Sequence, residues 1–253
     1  MTDTHTPAAS STLSSEVQQF VASQPRYAWR RRLLRGLVRL VLFRLVCKVT
    51  VTGTENIPDE GPAILMMNHI SLLDPILCLG AVTNRFVVPM SKVENDRNPL
   101  LGPLVRFWGS YSVNRGEVDR KALTNSIELA RSGTLILIAP EGTRQPQGLS
   151  QPKDGLAYVA TKANAVVIPA TIMGAVGWQE KLKRLQRPRI QVNFGRPFRF
   201  RTEGRARIPR EELSAMTEEA MYQLAIAVTD ETMRGVYSDL SKATTNHIEF
   251  INP

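Results

Sequence analysis

Cysteine, histidine and long uncharged apolar runs are scarce in this chain of 253 residues, and each scarcity removes a class of protein. The two cysteines, Cys47 and Cys78, stand among apolar neighbours with no Cys-x-x-Cys spacing. They read as small buried hydrophobes in a reducing compartment, which excludes a disulfide scaffold or a thiolate metal centre. Of three histidines, His5 and His247 lie near the ends and only His69 is interior. No second histidine or paired carboxylate is near it in sequence, so no metal site is expected. The opening MTDTHTPAASSTLSSEVQQ lacks the basic start and apolar core of a secretory signal. Residues 1–25 read instead as a polar, mobile tail. LLRGLVRLVLFRLVCK is cut by Arg35, Arg39, Arg44 and Lys48 before a membrane span can accumulate. ANAVVIPATIMGAVGW holds Pro169 and two glycines, and reads as buried strand and loop.

Positive charge is present in surplus, and it is local. Of the net +9, residues 26–48 contribute eight Arg or Lys and no acid, and residues 181–210 eleven basics against Glu203 alone. The remainder is net acidic, so the basic tracts imply specific anionic partners: a phospholipid surface, a phosphorylated small molecule or nucleic acid. In residues 26–48, Arg31, Arg32, Arg35 and Arg39 share one helical face, with Leu34, Leu37, Val38, Val41 and Leu45 around the rest. This predicts an amphipathic helix in a membrane interface, guanidinium groups among the headgroups. A core helix with a solvated basic face is the alternative. Nucleic acid fits less well, because the second tract offers only Phe194, Phe198 and Phe200 for stacking, and these alternate like a strand face.

Beyond residue 48, apolar runs alternate with amphipathic stretches. KVTVTG, AILMMN, RFVVPM, TLILIAP, AVVIPATIM and RIQVNFGRPFRF read as strands. Residues 117–131, closed by Gly133, and GLAYVATKAN read as helices, followed by a long helix from Pro209 to about Arg234. The pattern predicts an α/β fold with a mostly parallel sheet flanked by helices.

AILMMN would deliver Asn68 and His69 to the carboxyl end of a strand, where open α/β sheets build their sites. Asp74, before Pro75, brackets the following turn. Folded together by that turn, a carboxylate on one imidazole nitrogen would fix the tautomer and leave the other nitrogen basic. Asp74 also reads as a helix cap, since Ser71-x-x-Asp74 has capping-box form, and His69 as a satisfied interior histidine. PEGTR, residues 140–144, follows the strand TLILI at the same sheet end. Gly142 lets a ligand near the backbone, Thr143 offers a hydroxyl and Arg144 a bidentate phosphate donor.

Together these stretches resemble the glycerolipid acyltransferase family, in particular the 1-acylglycerol-3-phosphate acyltransferases. NHISLLD matches that family's N-H-x-S-x-x-D block; GSYSVNRG matches its second block and places Arg115; PEGTR is its third; VVIPAT, around Pro169, is its fourth. The resemblance runs from about Val49 to Phe200. Ala139 and Gln145 depart from residues common beside the third block, which bears on acceptor or acyl preference.

The resemblance implies an acyltransferase domain over residues 49–235, after the helix of residues 26–48 and before a C-terminal tail of residues 236–253. It implies His69 as general base and Asp74 as its orienter. Arg115 and Arg144 would hold the acceptor's phosphate, Glu141, Gly142 and Thr143 would shape its pocket, and Lys92 is a further phosphate candidate. No cofactor is implied beyond the acyl thioester co-substrate, acyl-CoA or acyl carrier protein. The expected setting is peripheral or monotopic, at the cytoplasmic face of an anionic membrane. Two rival readings stand beside it: another lysophospholipid acceptor, and a non-catalytic membrane-binding scaffold.

Overall fold

Strand and helix runs legible in the sequence recur in the fold, except that RIQVNFGRPFRF divides into two strands, 189–194 and 198–200, and three changes occur at the margins. The computed structural model describes residues 13–92, 99, 102–113, 120–153 and 155–252. Among these, nine strands form one sheet: β1 (Lys48–Thr52), β2 (Ala63–Met67), β3 (Val87–Lys92), β4 (Tyr111–Val113), β5 (Leu135–Ile138), β6 (Val166–Met173), β7 (Arg189–Phe194), β8 (Phe198–Phe200) and β9 (Ile248–Phe250). The helices are α1 (Ser15–Leu37), α2 (Asp74–Ala81), α3 (Gly102–Trp108), α4 (Arg120–Arg131), α5 (Leu156–Ala163), α6 (Trp178–Lys183) and α7 (Arg210–Ala227).

The strand order is β1-β7-β6-β2-β5-β3-β4, with β8 paired to β6 and β9 to β8. β2 lies parallel to both β5 and β6, β3 to β5 and β4, and β1 to β7. β7 and β8 run antiparallel to β6, and β9 to β8. The sheet is therefore mixed: β6-β2-β5-β3-β4 is parallel throughout, as expected of its centre, while after β6 the chain turns back beside it and adds β7 and β8 antiparallel. β2 and β6 are buried on both faces, as their unbroken apolar runs require. Ile64 and Met66 face one core with Leu156, Met216 and Leu224. Ala63, Leu65 and Met67 face a second core with Phe43, Leu77 and both cysteines. Cys47 and Cys78 are buried free thiols, and burial pushes both thiol pKa values up.

The first change is at the amino end. Helix α1 begins at Ser15, so residues 15–25 are not tail; Val17 is fully buried and Ser14, whose side chain caps the helix, also binds Glu128. The helix continues through Val38–Val46 as π-helix, ending in a Cys47 N to Leu42 O bond of 2.8 Å. Three of its arginines reach back to the domain, while Arg26, Arg32 and Arg44 are exposed. Arg31, 3% exposed, donates to the carbonyls of Trp108 and Gly109, Arg35 to those of Val82 and Thr83, and Arg39 to that of Gly80. These oxygens lie at or just past the carboxyl ends of α2 and α3, where helices leave acceptors unpaired and favour cations. Desolvation lowers the Arg31 pKa to about 10. Arg31, Arg35 and Arg39 of the expected basic face thus dock the helix on the domain, while Arg32 is exposed. Trp29, Leu33, Leu37, Leu40 and Leu45, each more than half exposed, line the outside.

The second change concerns α7, which stops at Ala227, short of Arg234. Its last carbonyl accepts from Thr171 and Asn193, and Asp230 caps a separate 3₁₀ segment, Glu231–Tyr237. The third is at the carboxyl end: within residues 236–253, Ile248–Phe250 is β9, paired with β8, so this stretch belongs to the sheet.

Candidate active site

β2 ends beneath the site because Asn68 copies a strand pairing with its side chain. Its amide donates to Ile172 O at 2.9 Å and accepts from Ile172 N at 2.7 Å. The chain then turns sharply, and Asp74 closes the turn. Asp74 Oδ2 accepts from Ile70 N and Ser71 N, both at 2.6 Å, and lies 3.0 Å from His69 Nδ1. Asp74 is thus the first residue of α2 rather than its N-cap, and its carboxylate both closes the turn before the helix and holds the imidazole. Asp74 is wholly buried, whereas the His69 side chain is 21% exposed. Asp74 Oδ1 is buried with no hydrogen-bond partner among the described residues. Burial accordingly raises the Asp74 pKa, against the lowering effect of the His69, Ser71 and Ile70 hydrogen bonds.

The loop after β5 closes over this turn. Glu141, 3% exposed, accepts from His69 N at 3.1 Å through one carboxylate oxygen and from Ser150 N at 2.9 Å through the other. Gln145 N donates to His69 O at 2.6 Å. The backbone of His69 is thus held on both sides by residues 141–145, and Glu141 acts as a strut rather than a wall of an open pocket. Burial raises its pKa, opposed by the hydrogen bonds from Ser150 and His69. Gly142 has φ +70°, and a Cβ there would come 2.9 Å from Lys153 Cδ, so the lysine stem lies over the glycine. Thr143 and Arg144 are exposed on the same loop.

His69, Asp74, Glu141, Gly142, Thr143 and Arg144 therefore come together at the carboxyl ends of β2 and β5. Lys92 ends β3, which pairs with β5, and its side chain lies outside what the structure describes; Arg115 lies outside the described residues. Sequence reasoning missed Ser150 and Lys153. Nothing in QPKD marks Lys153, and only the Glu141 bond reveals Ser150. Chemically, the arrangement holds an imidazole by Nδ1, an orientation that would suit Nε2 to take a proton, with the exposed Arg144 on the loop that grips the His69 backbone.

A family model described as Acyltransferase matches residues 48–173. The 1-acyl-sn-glycerol-3-phosphate acyltransferase of Borreliella burgdorferi is 31% identical over 143 residues, 55% of this chain and 57% of that protein. The Streptococcus pneumoniae protein of the same name is 29% identical over 168 residues, covering 65% and 61%. That of Bacillus subtilis is 25% identical over 179 residues, covering 70% and 87%. The chain spans 57%, 62% and 61% of the length of three curated relatives it matches. The crystal structure of the 1-acyl-sn-glycerophosphate (LPA) acyltransferase PlsC from Thermotoga maritima shares the fold, with a TM-score of 0.59 at 22% identity over 89% of this chain and 87% of that one.

Proposed function

The chain belongs to the acyltransferase family, and from that premise we propose that it moves an acyl group from an acyl thioester to the free hydroxyl of 1-acylglycerol-3-phosphate, making phosphatidic acid. The observation that carries this reading is the His69 Nδ1 to Asp74 Oδ2 contact of 3.0 Å on a buried carboxylate. In the proposed reaction His69 Nε2 takes the proton of the acceptor hydroxyl. The hydroxyl oxygen bonds to the thioester carbonyl carbon, and the tetrahedral adduct collapses by breaking its C–S bond. The departing sulfur takes the proton from the imidazolium, giving an ester and a free thiol. Asp74 stabilises the imidazolium and fixes its tautomer. Arg144, with Arg115 and Lys92 as expected partners, would bind the acceptor's phosphate, and Thr143 would add a hydroxyl donor. Glu141 acts on the acceptor only through the position of His69.

The acceptor is a membrane lipid, and the N-terminal helix supports delivery from an anionic bilayer. Its exposed face carries Trp29, Leu33, Leu37, Leu40, Val41 and Leu45, an apolar patch unusual for a surface bathed only by water. Among the described residues no helix is long and apolar enough to cross a membrane. The exposed apolar stripe is what supports the proposal of peripheral association, at the cytoplasmic face of the bilayer.

Acyl transfer by the purified protein tests the proposal, using labelled acyl-CoA and acyl carrier protein against a panel of lysolipids. Transfer to lysophosphatidic acid, lost in His69→Ala, is expected. Transfer only to another lysolipid would replace the acceptor and keep the mechanism. No transfer at all, with vesicle binding intact, would favour the scaffold reading.

A further inference from the structure

The connection between β6 and β7 has features that the proposed chemistry leaves unused. Leu185 is 96% exposed and holds φ +57°. It lies just past α6, where Gln186 N donates to Lys181 O and Leu185 N to Leu182 O, each at 2.8 Å. This paired closure needs a left-handed residue in the position that Leu185 fills, and glycine is the usual choice because it carries no Cβ. Leucine sits there at a conformational cost, and its side chain gains no packing within the fold. Around it are exposed Lys181, Lys183, Arg184 and Arg189; Glu180, the one acid between Gly174 and Phe194, pairs with Lys183.

The location of this tip supplies a second observation. β6 is parallel to β2, so the connection leaves the sheet at the edge that carries His69. The N-terminal helix ends at that edge too. Lys48 N donates to Pro188 O at 2.8 Å, and Lys48 pairs with Arg189. The Arg187 guanidinium donates to Cys47 O at 2.8 Å and to Arg44 O, closing the end of the π-helical segment. At about 3.8 Å per residue, the Cα of Leu185 lies within about 8 Å of that of Arg187. Leu45, 62% exposed, is the last member of the helix's apolar stripe, and Leu72, 46% exposed, belongs to the His69 turn.

We propose that the 178–187 loop is a second lipid-contact element. Leu185 enters the acyl region of an anionic bilayer while Lys181, Lys183 and Arg184 meet the headgroup phosphates. With the N-terminal stripe, the loop turns the sheet edge bearing His69 toward the membrane, so the acceptor reaches the imidazole without leaving the lipid phase. The proposal rests on the membrane reading above. It takes a bilayer over an acidic carrier protein as the occupant because the tip continues the apolar stripe of the helix beside it.

The test compares full-length wild type with Leu185→Gly on vesicles of phosphatidylcholine with and without phosphatidylglycerol. Acyl transfer is read in parallel on vesicle-embedded lysophosphatidate and on a short-chain, monomeric analogue. Glycine suits the left-handed position, so thermal stability should hold or rise, while vesicle binding falls about tenfold for the lost leucine burial. Transfer to the embedded acceptor should fall with binding, and transfer to the monomeric one should not. Replacing Lys181, Lys183 and Arg184 with Gln should flatten the dependence on phosphatidylglycerol. Unchanged vesicle binding by Leu185→Gly, with loss on Leu33→Ser or Leu40→Ser, would overturn the proposal and leave the helix as the contact. A defect only with acyl carrier protein as donor would overturn it in favour of protein docking. Failure of wild type to transfer acyl groups to any acceptor would remove the catalytic reading, whereas the vesicle measurement would still judge the loop.

Discussion

Two histidine–carboxylate pairs occur among the described residues, His69–Asp74 and His247–Glu219, and they differ in geometry and in setting. His69 Nδ1 is hydrogen bonded to Asp74 at 3.0 Å; His247 Nδ1 lies 3.3 Å from Glu219 Oε1 but is not aligned for a hydrogen bond. Both carboxylates are buried and both bind backbone N–H groups. Asp74 holds Ile70 and Ser71 of its own turn, whereas Glu219 holds Asn246 and His247, and the Thr244 hydroxyl, from a segment far along the chain. The first pair is at the carboxyl ends of parallel strands, with Glu141 gripping the His69 backbone and Arg144 nearby. The second pins the C-terminal segment onto α7. The two pairs are separated by their setting: residues 141–145 hold the His69 backbone at the carboxyl ends of β2 and β5, whereas the second pair holds a chain end.

The comparison breaks first at His69. His69→Ala should lower the turnover number about 10²–10⁴-fold with the fold intact by circular dichroism. Equal loss from His247→Ala would erase the distinction. Asp74→Asn should lower turnover by about 10², because an amide neither fixes the reactive tautomer nor stabilises the imidazolium. Its effect on stability should have the opposite sign. Burial raises the Asp74 pKa above the unfolded value of about 3.9. The cost of charging it therefore grows as pH rises from there and is complete above the folded pKa. Asp74→Asn has no such charge and should melt no lower than wild type at neutral pH, with any advantage shrinking in acid.

Glu141→Gln sharpens the contrast between strut and ligand. An amide nitrogen would face one of two N–H donors, so a loss of about 1–3 kcal/mol and a lower turnover number are expected, with acceptor KM little changed. A rise in KM alone would make Glu141 a substrate ligand. Glu219→Ala orphans three donors and should also cost about 1–3 kcal/mol in denaturant unfolding, while turnover below the melting temperature stays within about twofold. The smallest effect belongs to His247→Ala, under about 1 kcal/mol, since its contact with Glu219 is partly solvated.

Much of the site was legible in sequence because it is built locally. Asn68, His69 and Asp74 sit within one turn, and residues 140–144 directly follow an apolar strand; that this strand lies beside and parallel to β2 is what brings the two blocks together. The role of Glu141 was not legible. A glutamate in a loop reads as a ligand until its two oxygens are found on His69 N and Ser150 N, 72 and 9 residues away. The sheet's mixed pairing was hidden for a related reason: a buried strand's apolar run has no direction, and only the path of its connection decides parallel from antiparallel.

The sequence by itself determined which residues make up the His69–Asp74 turn, the alternation of strands and helices, and the presence of a helix with an arginine face. Tertiary structure alone decided which way that face looks. Arg31, Arg35 and Arg39 find carbonyls 77, 47 and 41 residues away, at or just past the carboxyl ends of two other helices. Periodicity states which side chains share a face, but its partner is set by acceptors that only the folded chain brings there. The guanidinium groups of Arg31, Arg35 and Arg39 are satisfied within the protein, and the leucines of the helix are left on its exposed side.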